Sequence, residues 1–183
     1  MKFFQNRAVA VLIAIAVVCG SALVNTQVKL GEASRRVEDS FFVSGDSAPR
    51  SPYARLDERL NASNGLWSIL VKYDADAAAL LSDVRGTLLS AYESRDISDM
   101  YDANKELQTA FQTAEAALAA YTLNDTEQSA LSDYQTSFSG AQKMIDRSEY
   151  NSTVLDFMRG TYDKFPASLL ASVTGVDAPE LFE

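Results

Sequence analysis

Two interleaved rows of apolar residues, each repeating every seven positions, constrain this chain more than any other feature. Leu66, Tyr73 and Leu80 form one row, and Leu70, Ala77, Val84 and Ala91 form the other. Paired seven-residue rows bring apolar side chains to one continuous seam of an α-helix, so the pattern predicts a long amphipathic helix over Pro52–Glu93. Ser51 before Pro52 suits its start, with a serine at the N-cap and a proline in the first turn. Gly65 and Gly86 interrupt it and mark a bend or a close helix approach.

The same pattern recurs twice more. After the polar stretch Ser94–Ser98, a second helix is predicted over Ile97–Thr122, with Met100, Leu107, Ala114 and Tyr121 on one row and Asn104, Phe111 and Leu118 on the other. Asn124 followed three residues later by Glu127 predicts a capping box that opens a third helix. That helix carries Leu131, Phe138 and Ile145, with Tyr134, Ala141 and Leu155 on the companion row. Short turns between long amphipathic helices favour antiparallel neighbours. The expected fold is therefore all-α: an antiparallel up-down bundle of three long helices, with room for a short fourth, behind an N-terminal transmembrane anchor.

That anchor is read from residues 1–25. Lys2 and Arg7 flank a run from Ala8 to Val24. At about 1.5 Å per residue its roughly 17 positions extend about 25 Å, near the lower limit for a bilayer core. An uncleaved anchor is favoured over a cleaved signal ending at the small residues Gly20 and Ala22, and over a lipoprotein, because Val18 ahead of Cys19 departs from a lipobox. Residues 26–50 have mixed charge with Gly31, Gly45 and Pro49, and read as a polar tether containing a short helix at Ala33–Phe42. Phe41 and Phe42 within it suit packing against the domain, with dipping into a membrane interface as the alternative. Residues 51–166 are read as the bundle and 167–183 as a tail packing on its end.

Composition removes several kinds of chemistry. The chain has no histidine, which excludes Ser-His and Cys-His nucleophile pairs and the commonest transition-metal ligand. Its one cysteine lies in the apolar run. A net charge of −9 opposes binding to nucleic acid. Asp96, Asp99, Asp102 and Glu106 recur along the second helix, with Asp74 and Asp76 on the first. Without a Glu-x-x-His pairing or a calcium-loop pattern they read as a solvated acidic face. No catalytic residue, metal ligand or cofactor is assigned.

The stretch from Arg147 to Pro166 carries the most specific signal. Tyr150-Asn151 is followed at helical spacing by Val154, Phe157, Thr161 and Phe165, then by Pro166. With Gly175 further on, this pattern resembles the C-terminal signature of the LemA family of bacterial membrane-anchored helical proteins. Weaker similarity reaches back to Leu60 through Val84-Arg85 and Asn104–Phe111. Met158 stands where the family usually repeats an asparagine, and the first helix lacks the family's Asn-Leu-Val stretch.

The resemblance implies a single-pass protein of the bacterial cell membrane. It also implies a non-enzymatic scaffold or accessory for another envelope protein, while the short basic tail ahead of the apolar run, not the resemblance, places the body outside the cytoplasm. A sensory or small-ligand-binding extracytoplasmic domain is the alternative. Arg147, Tyr150, Asn151, Phe165 and Pro166 are the candidate interaction residues. Arg147 and Asn151, four apart, are expected to share a helical face. A structural role for Asn151, satisfying a buried partner and fixing helix register, is the favoured reading of that residue.

Overall fold

A computed structural model describes the backbone of residues 7–43 and 51–183, and most side chains from Gly20 onward. The described residues form helices and turns without a strand: α1 (Arg7–Phe42), α2 (Pro52–Leu70), α3 (Ala75–Ser94), α4 (Ile97–Leu118), α5 (Asp125–Asp146), α6 (Tyr150–Phe157) and α7 (Ala167–Thr174). A π turn over Met158–Tyr162 follows α6. The chain divides into two compact units. One comprises Asp39–Asn151 with Glu180–Glu183, and the other Met1–Glu38 with Ser152–Pro179.

The bundle unit is built from α2 to α5. Helix α2 packs most extensively on α5, α3 packs on α4, and α2 also meets α3 and α4. Its core joins Leu60, Leu66 and Leu70 of α2, Leu81 and Leu88 of α3, Leu107, Phe111 and Leu118 of α4, and Phe138 of α5. The expected starts are found. Ser51 Oγ accepts from the Ala54 N–H, with Pro52 in the first turn, and Asn124 and Glu127 form the reciprocal capping box.

The long helix expected over Pro52–Glu93 is instead two helices. Helix α2 ends at Leu70, and Asp74 caps α3 by accepting from the Ala77 N–H at 2.9 Å. The turn between them is held from α5. Lys72 Nζ donates to Glu127 Oε1 at 2.9 Å, and the Tyr73 hydroxyl donates to Glu127 Oε2 at 2.6 Å. The break changes which side chains face inward: Ala91 remains buried, whereas Leu80 is 49% exposed. Helix α4 also ends earlier than expected, at Leu118, so that Tyr121 lies in the following turn with its ring 5.5 Å from that of Tyr73.

Gly65 marks a close approach, since a Cβ there would run into the Tyr134 ring of α5, whereas Gly86 faces open space. Phe41 and Phe42 pack in this unit. Phe41 is fully buried, and Phe42 lies between the Tyr53 ring at 5.5 Å and the Arg95 guanidinium, 4.0 Å from its ring centroid.

Helix α1, which belongs to the other unit up to Glu38, is helical through the span read as a tether as far as Phe42, rather than only over Ala33–Phe42. Residues 44–50, the rest of that span, lie outside the described residues, as do Met1–Asn6 and most side chains of the apolar run. Among the described residues no helix is long and apolar enough to cross a membrane. Leu30 and Ser34 of α1 are buried, and Ser34 Oγ donates to the Asp177 carbonyl at 3.0 Å. Helix α7 ends at Gly175, whose φ of 67° is the left-handed conformation that favours glycine at a helix end.

The interactions of Glu127 set an acid dependence. Hydrogen bonds from Tyr73 and then Lys72 hold its carboxyl below the usual value of 4.5. Below pH 4.5 the unfolded chain therefore takes up this proton before the folded chain does, and the stabilisation is lost as pH falls through the folded-state value. Urea titrations across pH 3–6 should show the wild-type midpoint falling more steeply below about pH 4.5 than that of Glu127→Gln.

Candidate functional site

The five residues singled out by the sequence are divided between the two units. Arg147 is exposed and ends α5, and α6 begins only at Tyr150. The intervening turn breaks the helix, so Arg147 and Asn151 do not share the continuous helical face expected from their spacing. Phe165 and Pro166 belong to the other unit and are exposed. The helical spacing behind the motif also fails there. The π turn adds a residue to the repeat, leaving Val154 buried, Phe157 half-buried, and Thr161 and Phe165 exposed.

Tyr150 and Asn151 do act together. Asn151 Nδ2 donates to the Phe182 carbonyl at 2.9 Å, while the Phe182 N–H donates to Asn151 Oδ1 at 2.8 Å. One side-chain amide thus pairs with both main-chain groups of one residue, as a neighbouring strand would. The Tyr150 hydroxyl donates to the Glu180 carbonyl at 2.6 Å. Glu180 in turn accepts the Ile97 N–H on its carboxylate at 3.0 Å, satisfying a donor at the start of α4. The Phe182 ring is buried 5.3 Å from Phe41 and 5.2 Å from Tyr101, and Phe41 lies 5.1 Å from Tyr150. The motif pair is a clamp on the segment Glu180–Phe182.

A second polar cluster, which the sequence reading missed, lies inside the bundle unit. Arg59 of α2 is 0% exposed. Its guanidinium donates to the side-chain oxygens of Asn104 and Gln108 on α4 and Gln142 on α5. Asn104 Nδ2 also donates to Gln142 Oε1 at 3.1 Å, and Gln142 passes the chain on to Asp146 at 2.6 Å. The guanidinium lies 4.0 Å from the centroid of the Phe138 ring, which stacks on Phe111 at 3.8 Å. Burial pushes the Arg59 pKa down to about 10, with Asp146 and then Tyr92 opposing the fall, so the group remains cationic at neutral pH. The same kind of burial raises the Tyr92 hydroxyl.

A usable signal for Arg59 was present. Extending the two rows back by seven from Leu66 and Leu70 reaches Arg59 and Ser63, and Leu56, Arg59, Ser63, Leu66 and Leu70 follow the alternating three- and four-residue spacing of a helix seam.

The carboxylates divide by role. Asp74 and Asp96 cap α3 and α4, the latter accepting from the Asp99 N–H at 2.8 Å. Asp99, Asp102 and Glu106 are exposed and line an open groove of about 360 Å³ with Thr87, Ser90 and Ser94. No group of three or more metal-ligating side chains converges among the described residues. No family model, no curated protein and no solved structure matches the chain.

Two substitutions measure these clusters. Asn151→Ala removes two hydrogen bonds and strands both main-chain groups of Phe182, and should lower stability by about 2–3 kcal/mol in urea unfolding. Arg59→Met keeps much of the volume but leaves amide oxygens of α4 and α5 facing an apolar chain. It should lower stability by about 2–4 kcal/mol by the same assay, more than an apolar swap of equal size elsewhere in the core.

Proposed function

We propose that this chain is a LemA-like, membrane-anchored helical protein of the bacterial envelope that works without catalysis, as a scaffold or accessory for another envelope protein. Residues 1–25 provide a single-pass anchor, and the remainder lies outside the cytoplasm. The observation that carries the reading is the commitment of Tyr150 and Asn151 to main-chain bonds with Glu180 and Phe182. The residues that bear the family resemblance serve the architecture, so recognition falls to the surface. The basic flank ahead of the apolar run, and the resemblance itself, support the membrane location.

The alternative, a sensory or small-ligand-binding domain, draws on converging polar groups inside the bundle. The Arg59 cluster has such groups, but its guanidinium and amides bond to one another. A ligand would have to displace those bonds.

Crosslinking of the full-length chain in native bacterial membranes, read by mass spectrometry, tests the proposal. It should recover a defined envelope protein whose crosslinks map to surface residues of α2–α5, and removal of residues 1–25 should abolish both carbonate-resistant membrane retention and that crosslink. Recovery of the chain alone, or carbonate-resistant membrane retention without residues 1–25, contradicts it.

A further inference from the structure

Helix α7 is apolar on two sides. Leu170 and Ala171 are buried, and the Tyr162 hydroxyl donates to the Val176 carbonyl just beyond it at 2.6 Å. Yet Phe165, Leu169 and Val173, spaced by four, remain 81%, 56% and 73% exposed. Leu169 and Val173, four apart within α7, fall as a stripe along one side of the helix, and Phe165 is exposed in the turn that leads into it. A helix with apolar groups on both sides needs a second apolar environment.

The location of the stripe within this unit indicates which environment. Gln27 Nε2 donates to the Thr174 carbonyl at 3.4 Å, and Ser34 Oγ donates to the Asp177 carbonyl at 3.0 Å. These bonds join the end of α7 to the part of α1 immediately past the apolar run. Gln27 is three residues from Val24, about 4.5 Å along the helix axis. Leu23, Val24 and Val28 are exposed there as well. The C-terminal end of α7, next to Val173, and the exposed residues at the end of the run therefore lie at one level of one unit. Beyond the apolar run this unit has as many basic as acidic residues, with Lys29, Arg159 and Lys164 exposed, whereas the bundle unit carries the acidic excess. Apolar and aromatic side chains beside lysine and arginine suit the headgroup–acyl boundary of a phospholipid bilayer.

We infer that Phe165, Leu169 and Val173 insert into the interfacial layer of the membrane, making α7 a second lipid contact beside the anchor. The inference rests on the anchored reading, in which the run up to Val24 occupies the bilayer. Two lipid contacts hold the unit at the surface more firmly than a lone helix free to swivel and tilt.

The test uses the full-length chain in vesicles of phosphatidylcholine and phosphatidylglycerol. Trp67, the one tryptophan, is replaced by phenylalanine, and a reporter is introduced as Leu169→Trp or, independently, Val173→Trp. Each variant must retain the helical signal and melting transition of the parent. Lipids brominated near the headgroup should quench the reporter about twofold more strongly than lipids brominated at the chain ends, as expected for a shallow insertion of about 5–10 Å.

Carbonate extraction of the same vesicles separates the two readings. A chain that resists extraction but has a reporter open to acrylamide and insensitive to brominated lipid overturns the inference and leaves the anchor standing. A reporter shielded from acrylamide yet insensitive to brominated lipid means that protein covers the stripe, and also overturns it. A chain released by carbonate overturns the anchored reading itself, and the inference with it.

Discussion

The bundle unit closes on one side-chain amide. At Asn151 the chain leaves this unit, and it returns at Glu180. Asn151 binds the N–H and the carbonyl of Phe182, so departure and return are pinned together by two hydrogen bonds. Buried main-chain groups need partners, and the returning segment has no strand beside it to supply them. An asparagine amide offers a donor and an acceptor at the spacing of a peptide unit; aspartate at neutral pH offers only acceptors, and leucine offers neither. Tyr150 adds a third bond, and the packing of Phe182 against Phe41 and Tyr101 keeps water from competing for all three. Through Glu180 the same segment reaches the first turn of α4.

The Arg59 cluster addresses a different problem in the same unit. Apolar seams are tolerant, because leucines slide past leucines at little cost in contact. A cation in the seam is not tolerant, since one register supplies amide oxygens from Asn104, Gln108 and Gln142 and another would face it with leucine. Burial of the charge is costly, as the lowered Arg59 pKa reflects. Its effect is therefore on the uniqueness of the packing more than on its depth, as for a polar residue at a coiled-coil core position. Phe138, stacked on Phe111 and facing the guanidinium, gives that charge an aromatic face as well.

What the sequence made legible follows from how local each signal is. Caps depend on residues three apart, and Ser51-Pro52 and Asn124–Glu127 act as read. The polar stretch after Ser94 likewise separates α3 from α4. The break at Val71–Asp74 was hidden because no glycine or proline marks it, and because the hydrogen bonds that hold it come from Glu127, more than fifty residues away. Tyr73 lay on an apolar row and was read as core, although its hydroxyl is what fastens the turn. Arg59 was hidden by its charge, since a row of hydrophobic positions is naturally ended at the first arginine. The Tyr150-Asn151 pair was legible as a motif, and its favoured structural role suits the geometry. Its partner Phe182 was not legible, because nothing local connects Asn151 to a position 31 residues further on. The π turn after α6 has no simple sequence marker, so the outward turn of Phe165 emerged only from the fold.

The most direct test of this account is hydrogen–deuterium exchange at the Phe182 amide, followed in the full-length protein and in Asn151→Ala. If the clamp operates, that amide is protected in the wild type to an extent comparable with the amides at the start of α4. It loses most of that protection in the variant, while the central turns of α2 and α5 keep theirs. Exchange at Phe182 that is already fast in the wild type, or that is unchanged by the substitution, would contradict the role assigned here to Tyr150 and Asn151.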